Sequence, residues 1–237
     1  MKPVFVFRHI ACEGPGYLAE FLSARNIPCE IIRVDEDEPV PVNTDNASGL
    51  VFMGGPMSVN DDLPWIKAEL DLIRKAHSQH VPVFGHCLGG QLISKALGGN
   101  ITRNRVTEIG WFPVERITQC PSLAWLDELS FESEIFHWHG EAFTLPDKAI
   151  PLFKSRFCDL QGFILNNTFV LQCHVEMDKE AVSKWLSFYN NDLPAPCESV
   201  QSGLEMLQNI EQRIASLHVF ADVIYTQWLS GFTEKQG

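Results

Sequence analysis

A cysteine between two glycines is the residue of this sequence best suited to chemistry. An apolar run at residues 81–84 precedes a Gly-x-Cys-x-Gly pattern formed by Gly85, Cys87 and Gly89, and a helical stretch follows. Because glycine lets the chain turn sharply from strand to helix, the pattern is typical of a nucleophile elbow with cysteine in place of serine. The N-terminal end of the helix would favour a thiolate. We predict that Cys87 is a nucleophile; a buried structural cysteine is the alternative.

A histidine and a carboxylate follow a second apolar run. Residues 168–171 are apolar or β-branched, and His174 and Glu176 come next. In an extended segment, residues two apart point to the same face, so Glu176 can orient His174 and select its tautomer. Nucleophile, base and orienting carboxylate together form the triad used in acyl transfer. Taken alone, the His-x-Glu pattern is also compatible with a structural role, so this prediction depends on Cys87.

A Gly-Gly-Pro turn follows the apolar run at residues 50–53. A glycine turn at the end of a strand can present a free main-chain N–H, and the residue after a nucleophile can present another. We therefore predict that the amides of Gly55 and Leu88 form an oxyanion hole. An ordinary loop is the alternative for the glycine turn.

These motifs resemble the class I glutamine amidotransferases, and within them the glutaminase domain of GMP synthetase and its free-standing relatives, over roughly residues 1–190. The resemblance implies that Cys87, His174 and Glu176 are catalytic and that Gly55 serves the oxyanion hole. Five other residues match segments that bind substrate or lie near the active site in that family: Gln91, Glu108, Gly110, Trp111 and His139. Glu141 stands where the family usually has Asp, and Val175 where it usually has Pro, which frees one backbone dihedral beside His174.

The resemblance implies hydrolysis of the γ-amide of glutamine, or of a γ-glutamyl compound, through a cysteine thioester. A γ-glutamyl peptide hydrolase with the same triad, and an ammonia-supplying or non-catalytic subunit of a synthetase, are the alternatives. A small-molecule substrate is expected, and a synthetase partner or a second copy of the chain stays open. No cofactor is predicted. No metal is predicted either, because His137 and His139 lack a third histidine at metal-binding spacing.

Composition limits the class of protein. The 237 residues are 45% hydrophobic, enough for one α/β domain with a sizeable core. A formal net charge of −12 argues against a nucleic-acid partner, since phosphate binding needs a basic face. Seven cysteines without Cys-x-x-Cys spacing indicate neither a disulfide framework nor a zinc ribbon, so a reducing cytoplasm is expected. The apolar run at residues 3–7 is too short for the core of a signal peptide, and no apolar run approaches the length of a membrane span, so a soluble protein is expected.

Strand and helix patterns alternate along the first half of the chain. Apolar runs at residues 4–7, 31–34, 50–53 and 81–84 predict strands, with helical patterns at 17–22 and 65–73 between some of them. Such alternation predicts an α/β fold with a largely parallel, helix-covered mixed sheet, whose ligands bind at the carboxyl ends of the strands. Short strand-like pieces between residues 114 and 171 predict an antiparallel patch. His9 and His86, beside these strands, are expected to be hydrogen-bonded structural residues.

A helical tail follows the amidotransferase-like segment. We place the boundary at residues 190 and 191, where a stretch rich in Asn and Pro precedes apolar residues at helical spacing from Leu204 to Trp228. The tail is expected to pack on its own domain; docking onto a partner is the alternative. Residues 191–237 contain no glycine-rich phosphate loop. We therefore expect either a glutamine-cleaving half of a larger system or a relative that works alone.

Overall fold

The computed structural model describes residues 2–118, 123–131 and 133–232, so Cys120 lies outside the described residues. Strands and helices alternate in its first half, as the apolar pattern predicted. The elements are β1 Val4–Arg8, α1 Tyr17–Ser23, β2 Cys29–Arg33, β3 Gly49–Phe52, α2 Pro64–Ser78, β4 Val83–His86 and α3 Leu88–Ala96, with a 3-10 turn at Val34–Glu36.

The second half begins with five strands and ends with three helices. Its elements are β5 Ile101–Arg116, β6 Glu134–Phe143, β7 Ile150–Ser155, β8 Gly162–Leu165, β9 Thr168–Leu171, α4 Lys179–Phe188, α5 Gly203–Leu207 and α6 Ile210–Ser230, with a 3-10 turn at Ala124–Glu128. No helix in the described ranges is long and apolar enough to cross a membrane.

Within the described ranges, nine strands form one sheet in the order β2-β1-β3-β4-β9-β8-β7-β5-β6. The pairs β1–β2, β1–β3, β3–β4 and β4–β9 are parallel, and the pairs from β9 to β6 are antiparallel. This confirms the predicted mixed α/β sheet and its antiparallel patch. Because β3, β4 and β9 are adjacent and parallel, the segments after their carboxyl ends meet at one edge of the sheet.

Helices cover both faces of the sheet. One core cluster joins β3 and β4 residues to α2 and α3, and the other joins the opposite face to α1, α4 and α6. The long helix α6 is amphipathic, and its buried side chains include Leu217, Phe220, Ile224 and Trp228. Each such side chain contributes about 1.5–3 kcal/mol through burial. The apolar stripe predicted from Leu204 is interrupted, because Leu204 lies on the short helix α5 and is 81% exposed.

Candidate active site

The turn between β4 and α3 holds Cys87 in a conformation that few non-glycine residues adopt. Its φ is 47° and its ψ is −108°, and α3 begins at the next residue. The neighbouring glycines are required by close packing. A Cβ on Gly85 would lie 2.7 Å from the main chain of Gly89, and a Cβ on Gly89 would collide with the carbonyl oxygen of Phe52. The strand-turn-helix geometry of a nucleophile elbow is therefore present at Cys87.

Two polar groups lie against the Cys87 sulfur. The Nε2 amide of Gln172 donates to Sγ at 3.5 Å, and the carbonyl oxygen of Trp138 lies 3.8 Å from Sγ. Gln91 Nε2 in turn donates to Gln172 Oε1 at 3.3 Å. An amide donor stabilises sulfur as a thiolate more than as a thiol. Sequence reasoning missed Gln172; its place just after a strand end was the available signal.

His174 and Glu176 form a buried pair beside the thiol. His174 Nδ1 lies 2.6 Å from Glu176 Oε1, and both side chains are at most 3% exposed. The main-chain N–H of His174 donates to the carbonyl of Phe136 at 2.8 Å, which attaches this segment to β6. Among the described residues, His174 Nε2 makes no hydrogen bond of standard geometry, although the Cys87 thiol is close enough to interact with the ring. That nitrogen is left available for proton transfer.

Each member of the His174–Glu176 pair favours the charged form of the other. Burial lowers the pKa of His174, but the Glu176 carboxylate and the Cys87 thiol outweigh it and raise the pKa well above the usual value. Burial raises the pKa of Glu176, but His86 and His174 outweigh it, and the net pKa of the carboxyl is lowered. Glu176 therefore stays ionised, as a carboxylate that orients an imidazolium must.

The segment after β3 packs against the first residue of α3. A Cβ on Gly55 would lie 2.9 Å from Leu88 Cδ2, so the two predicted oxyanion-hole residues are neighbours. Leu88 is the first residue of α3. The first main-chain N–H groups of a helix have no acceptor within that helix. His9 holds the same segment, because its Nδ1 donates to the carbonyl of Met53 at 3.0 Å while Nε2 pairs with buried Glu69 at 3.1 Å.

A cavity of about 840 Å³ opens in front of the thiol. Of the residues predicted from sequence, Gly55, Cys87, Gln91 and His139 lie on its walls. Other wall residues that sequence reasoning missed are Glu13, Arg103, Arg105, Trp138 and Tyr189. A cavity of this size is ample for a small-molecule ligand.

Glu108, Gly110 and Trp111 are not on the cavity wall. Gly110 has φ of 125°, and the main-chain N–H of Trp111 donates to Gln201 Oε1 at 2.9 Å. The Trp111 indole is fully buried and donates to the carbonyl of Met206 at 3.0 Å. These contacts connect the segment with Gln201 and Met206 to β5. The neighbouring Ile109 borders the cavity. A substrate contact through Gly110 or Trp111 stays a prediction.

Glu108 lies instead in a buried cluster with His137 and His139. Its Oε2 is 3.0 Å from His139 Nε2 and 3.7 Å from His137 Nδ1, and Gln161 Nε2 donates to it at 2.7 Å. Ligand atoms of the three ionisable residues lie within 4.8 Å of one another, close enough to hold a metal ion. Burial raises the pKa of Glu108, but the two histidines outweigh it and lower the pKa to about 2. The amide of Gln161 therefore donates to an ionised carboxylate. The cluster also holds His139 in place on the cavity wall.

Besides Glu176, the buried carboxylate of Glu13 also lies beside the imidazole of His174. Tyr189 donates its hydroxyl hydrogen to Glu13 Oε1 at 2.7 Å. A Cβ on Gly54 would collide with Glu13 Oε2 and would lie 3.1 Å from His174 Cε1, so the carboxylate and the ring meet over this glycine. Burial raises the pKa of Glu13, and His174 partly offsets that rise. Its place after the carboxyl end of β1, a parallel strand, was the missed signal.

Comparison with known proteins identifies the family. The sequence pattern described as glutamine amidotransferase class-I matches residues 17–187. A crystal structure of a glutamine amidotransferase from Methylobacillus flagellatus superposes with a TM-score of 0.90 at 38% identity, covering 98% of this chain and 95% of that one. The chain belongs to the class I glutamine amidotransferase family, which confirms the resemblance seen in its motifs.

Two curated relatives are similar to this protein over more than half of its length. The glutamine amidotransferase-like protein YfeJ of Salmonella typhimurium (strain LT2) is 30% identical over 194 residues, 78% of this chain and 80% of the relative. Gamma-glutamyl peptidase 4 of Arabidopsis thaliana is 26% identical over 152 residues, 62% of this chain and 61% of the relative. GMP synthases also match, and the aligned part is between 17% and 28% of their length.

Proposed function

We propose that this protein hydrolyses the γ-amide bond of glutamine or of a γ-glutamyl compound through a thioester on Cys87. The observation that carries the proposal is that Cys87, at a strained elbow, interacts with His174 of the buried His174–Glu176 pair at one edge of the sheet. The family relationship supports the reaction class. Membership of the family alone does not select the substrate.

The residues have the following proposed roles. His174 Nε2 takes the proton of the Cys87 thiol, and the thiolate sulfur forms a bond to the γ-carbonyl carbon. The main-chain N–H groups of Gly55 and Leu88 hold the resulting oxyanion. His174 then returns its proton to the leaving nitrogen, the C–N bond breaks, and ammonia or an amine departs. Water, deprotonated by His174, attacks the thioester and releases the γ-carboxylate and the thiol. Glu176 stabilises the imidazolium throughout.

A bulkier leaving group than ammonia is favoured by the size of the cavity. Its volume of about 840 Å³ far exceeds the space that one glutamine side chain needs, and this is near the upper end for small-molecule sites. The relative named gamma-glutamyl peptidase 4 points in the same direction. We therefore propose a γ-glutamyl peptide or γ-glutamyl amine as the substrate, with glutamine as a smaller alternative.

We further propose that the chain works without a synthetase. Helix α6 buries its apolar face on the same sheet that carries the site, which leaves that face unavailable to a partner. In this proposal, residues 1–190 form the amidotransferase-like unit, and residues 191–237 are its extension. Supply of ammonia to a synthetase partner remains the alternative that the experiment below excludes or supports.

The test compares substrates on the purified, reduced protein. Glutamine and a panel of γ-glutamyl dipeptides are incubated with the wild type and with Cys87→Ala, and glutamate release is measured. The expected result is a higher kcat/KM for at least one γ-glutamyl peptide than for glutamine, with no turnover by Cys87→Ala. Turnover of glutamine alone would contradict the proposed leaving group. Turnover that appears only after addition of a cell extract, and still needs Cys87, would contradict independent action.

A further inference from the structure

Both carboxylate oxygens of Glu176 face a histidine. Oε1 lies 2.6 Å from His174 Nδ1, and Oε2 lies 3.0 Å from His86 Nδ1. All three side chains are at most 3% exposed, so water does not compete for these contacts. The proposed triad accounts only for the contact with His174. The contact with His86, the residue immediately before the nucleophile, needs its own explanation.

The hydrogen positions on His86 follow from its two neighbours. His86 Nδ1 lies 3.0 Å from Glu176 Oε2 but is not aligned for a hydrogen bond with it. Because an ionised carboxylate can only accept, this close contact is favourable only when Nδ1 carries the hydrogen of the ring. A neutral ring then has an unprotonated Nε2, which accepts from the hydroxyl of Tyr225 at 3.3 Å. Burial lowers the pKa of His86 to about 4, although Glu176 opposes this, so the ring is neutral at neutral pH. The Tyr225 hydroxyl thus selects the tautomer of His86 that has its N–H side next to the Glu176 carboxylate.

Tyr225 brings the last long helix into this arrangement. It lies on α6, 139 residues from His86 in sequence, and its side chain is fully buried. Its ring packs edge-on against Phe84 at a centroid distance of 5.4 Å and at a tilt against Phe21 at 5.2 Å. These contacts leave the hydroxyl little freedom to turn away from His86.

We propose that His86 and Tyr225 are positioning residues that hold the Glu176 carboxylate, through its second oxygen, in the orientation that His174 requires. A carboxylate with the positive end of an N–H dipole close to each oxygen rotates less and binds a proton less readily than one with a single such neighbour. Its negative charge therefore remains opposite His174 while the imidazolium forms. The inference rests on the proposed function only in assigning His174 as the base for Cys87.

Position next to Cys87 offers a rival explanation for any effect of His86. A substitution there can distort the elbow and displace the thiol without involving Glu176. The two explanations differ in their dependence on the carboxylate. If His86 acts through Glu176, then removing the negative charge of Glu176 removes most of the effect of His86 as well.

The first experiment measures the rate at which iodoacetamide alkylates Cys87 as a function of pH, by mass spectrometry of the peptide. The exposed Cys197 in the same protein is the internal reference. His86→Leu is expected to raise the midpoint of the Cys87 profile by about one pH unit, because a less firmly ionised Glu176 stabilises the imidazolium less. His86→Asn keeps an N–H donor and should shift the midpoint less. The other titratable groups that act on or face Glu176 are unchanged in the His86 variants: Glu13, Cys173, His174 and Tyr225.

Two further variants separate the chain of contacts from general packing. Tyr225→Phe deletes one hydroxyl and keeps the ring, so it should fold normally and shift the midpoint in the same direction by a smaller amount. Trp228→Phe, one turn further along α6, is the matched control and should leave the midpoint unchanged. An equal shift in both variants would show that α6 packing alone is responsible and would overturn the role of the hydroxyl.

The decisive comparison repeats His86→Leu in a Glu176→Gln background. The expected result is little further change, whereas an equal shift in both backgrounds would overturn the inference in favour of the elbow explanation. Where a substrate is turned over, His86→Leu should lower kcat about 10- to 100-fold, by analogy with losses of orienting groups, with KM nearly unchanged. Absence of turnover by the wild type would contradict the proposed function, and the alkylation profiles would still decide the role of His86.

Discussion

The main-chain N–H of Gly89 donates to the carbonyl oxygen of Met53 at 3.1 Å. This hydrogen bond connects the first turn of α3, which follows Cys87, to the glycine turn after β3. The proposed nucleophile and one proposed oxyanion donor therefore share a single junction. Its closeness is possible only because residue 89 has no Cβ.

Gly89→Ala should disrupt this junction. The added Cβ would collide with the carbonyl oxygen of Phe52, which is main chain and cannot move aside alone. We expect a loss of about 1–3 kcal/mol in the free energy of unfolding, measured by urea denaturation, together with slower alkylation of Cys87. Gly14→Ala is the matched control, since a Cβ there meets no atom within 4 Å. Equal stability of the two variants would contradict the steric argument.

A glutamine-mimicking alkylating agent should label Cys87 ahead of the other cysteines. The main competitor is Cys197, which is exposed and whose pKa is lowered by a hydrogen bond with Ser199. Burial raises the pKa of Cys173 and Cys158, so both should react slowly. Peptide mass spectrometry with and without excess substrate gives the measurement. Protection of Cys87 but not of Cys197 is expected; equal protection of both would remove the support for a substrate site at Cys87.

Substitutions in the proposed triad should have graded effects on turnover. Cys87→Ala and His174→Ala should each lose about 10⁴-fold or more in kcat, and the double variant should be little worse, because nucleophile and base act as a unit. Glu176→Gln should cost about ten- to a hundredfold less, since an acceptor for His174 is retained while the charge is lost. Steady-state kinetics measure this. Full activity in His174→Ala combined with an inactive His139→Ala would transfer the base to His139.

Stability should fall as the pH decreases from 6.5 to 4. Burial lowers the pKa of His86 and of His137 to about 4, so in this window the unfolded chain binds protons that the folded protein does not. Each histidine contributes a slope of up to about 1.4 kcal/mol per pH unit. His174 has a raised pKa, so its stabilising contribution is complete below pH 6.5 and is lost only at higher pH.

Urea denaturation at several pH values between 4 and 7 measures these slopes. His137→Gln is the informative variant, because an amide cannot titrate and can still donate to the carbonyl of Phe112, which His137 Nε2 contacts at 3.2 Å. Its stability should depend less steeply on pH than that of the wild type. An unchanged slope would mean that His137 is not held neutral in the folded protein.

The elements that place the site were predictable from local patterns. Buried parallel strands appear as short apolar runs, and the first four predicted strands match β1 to β4 with end points shifted by at most two residues. The elbow could be predicted from the sequence because the turn at Gly85, Cys87 and Gly89 involves only neighbouring residues. His174 and Glu176 were likewise two residues apart, so their pairing required no knowledge of the rest of the fold.

Tertiary structure alone decided which distant groups reach these residues. Glu13 and Tyr189 are 176 residues apart, and His86 and Tyr225 are 139 residues apart, yet each pair shares a buried hydrogen bond. Glu108 matched a family segment but lies in a histidine cluster away from the cavity wall, because the paired strands β5 and β6 bring it opposite His139. Periodicity and spacing report the conformation of the nearby chain. Contacts across the sheet depend instead on strand order and on the face against which a helix packs, which local residue patterns do not encode.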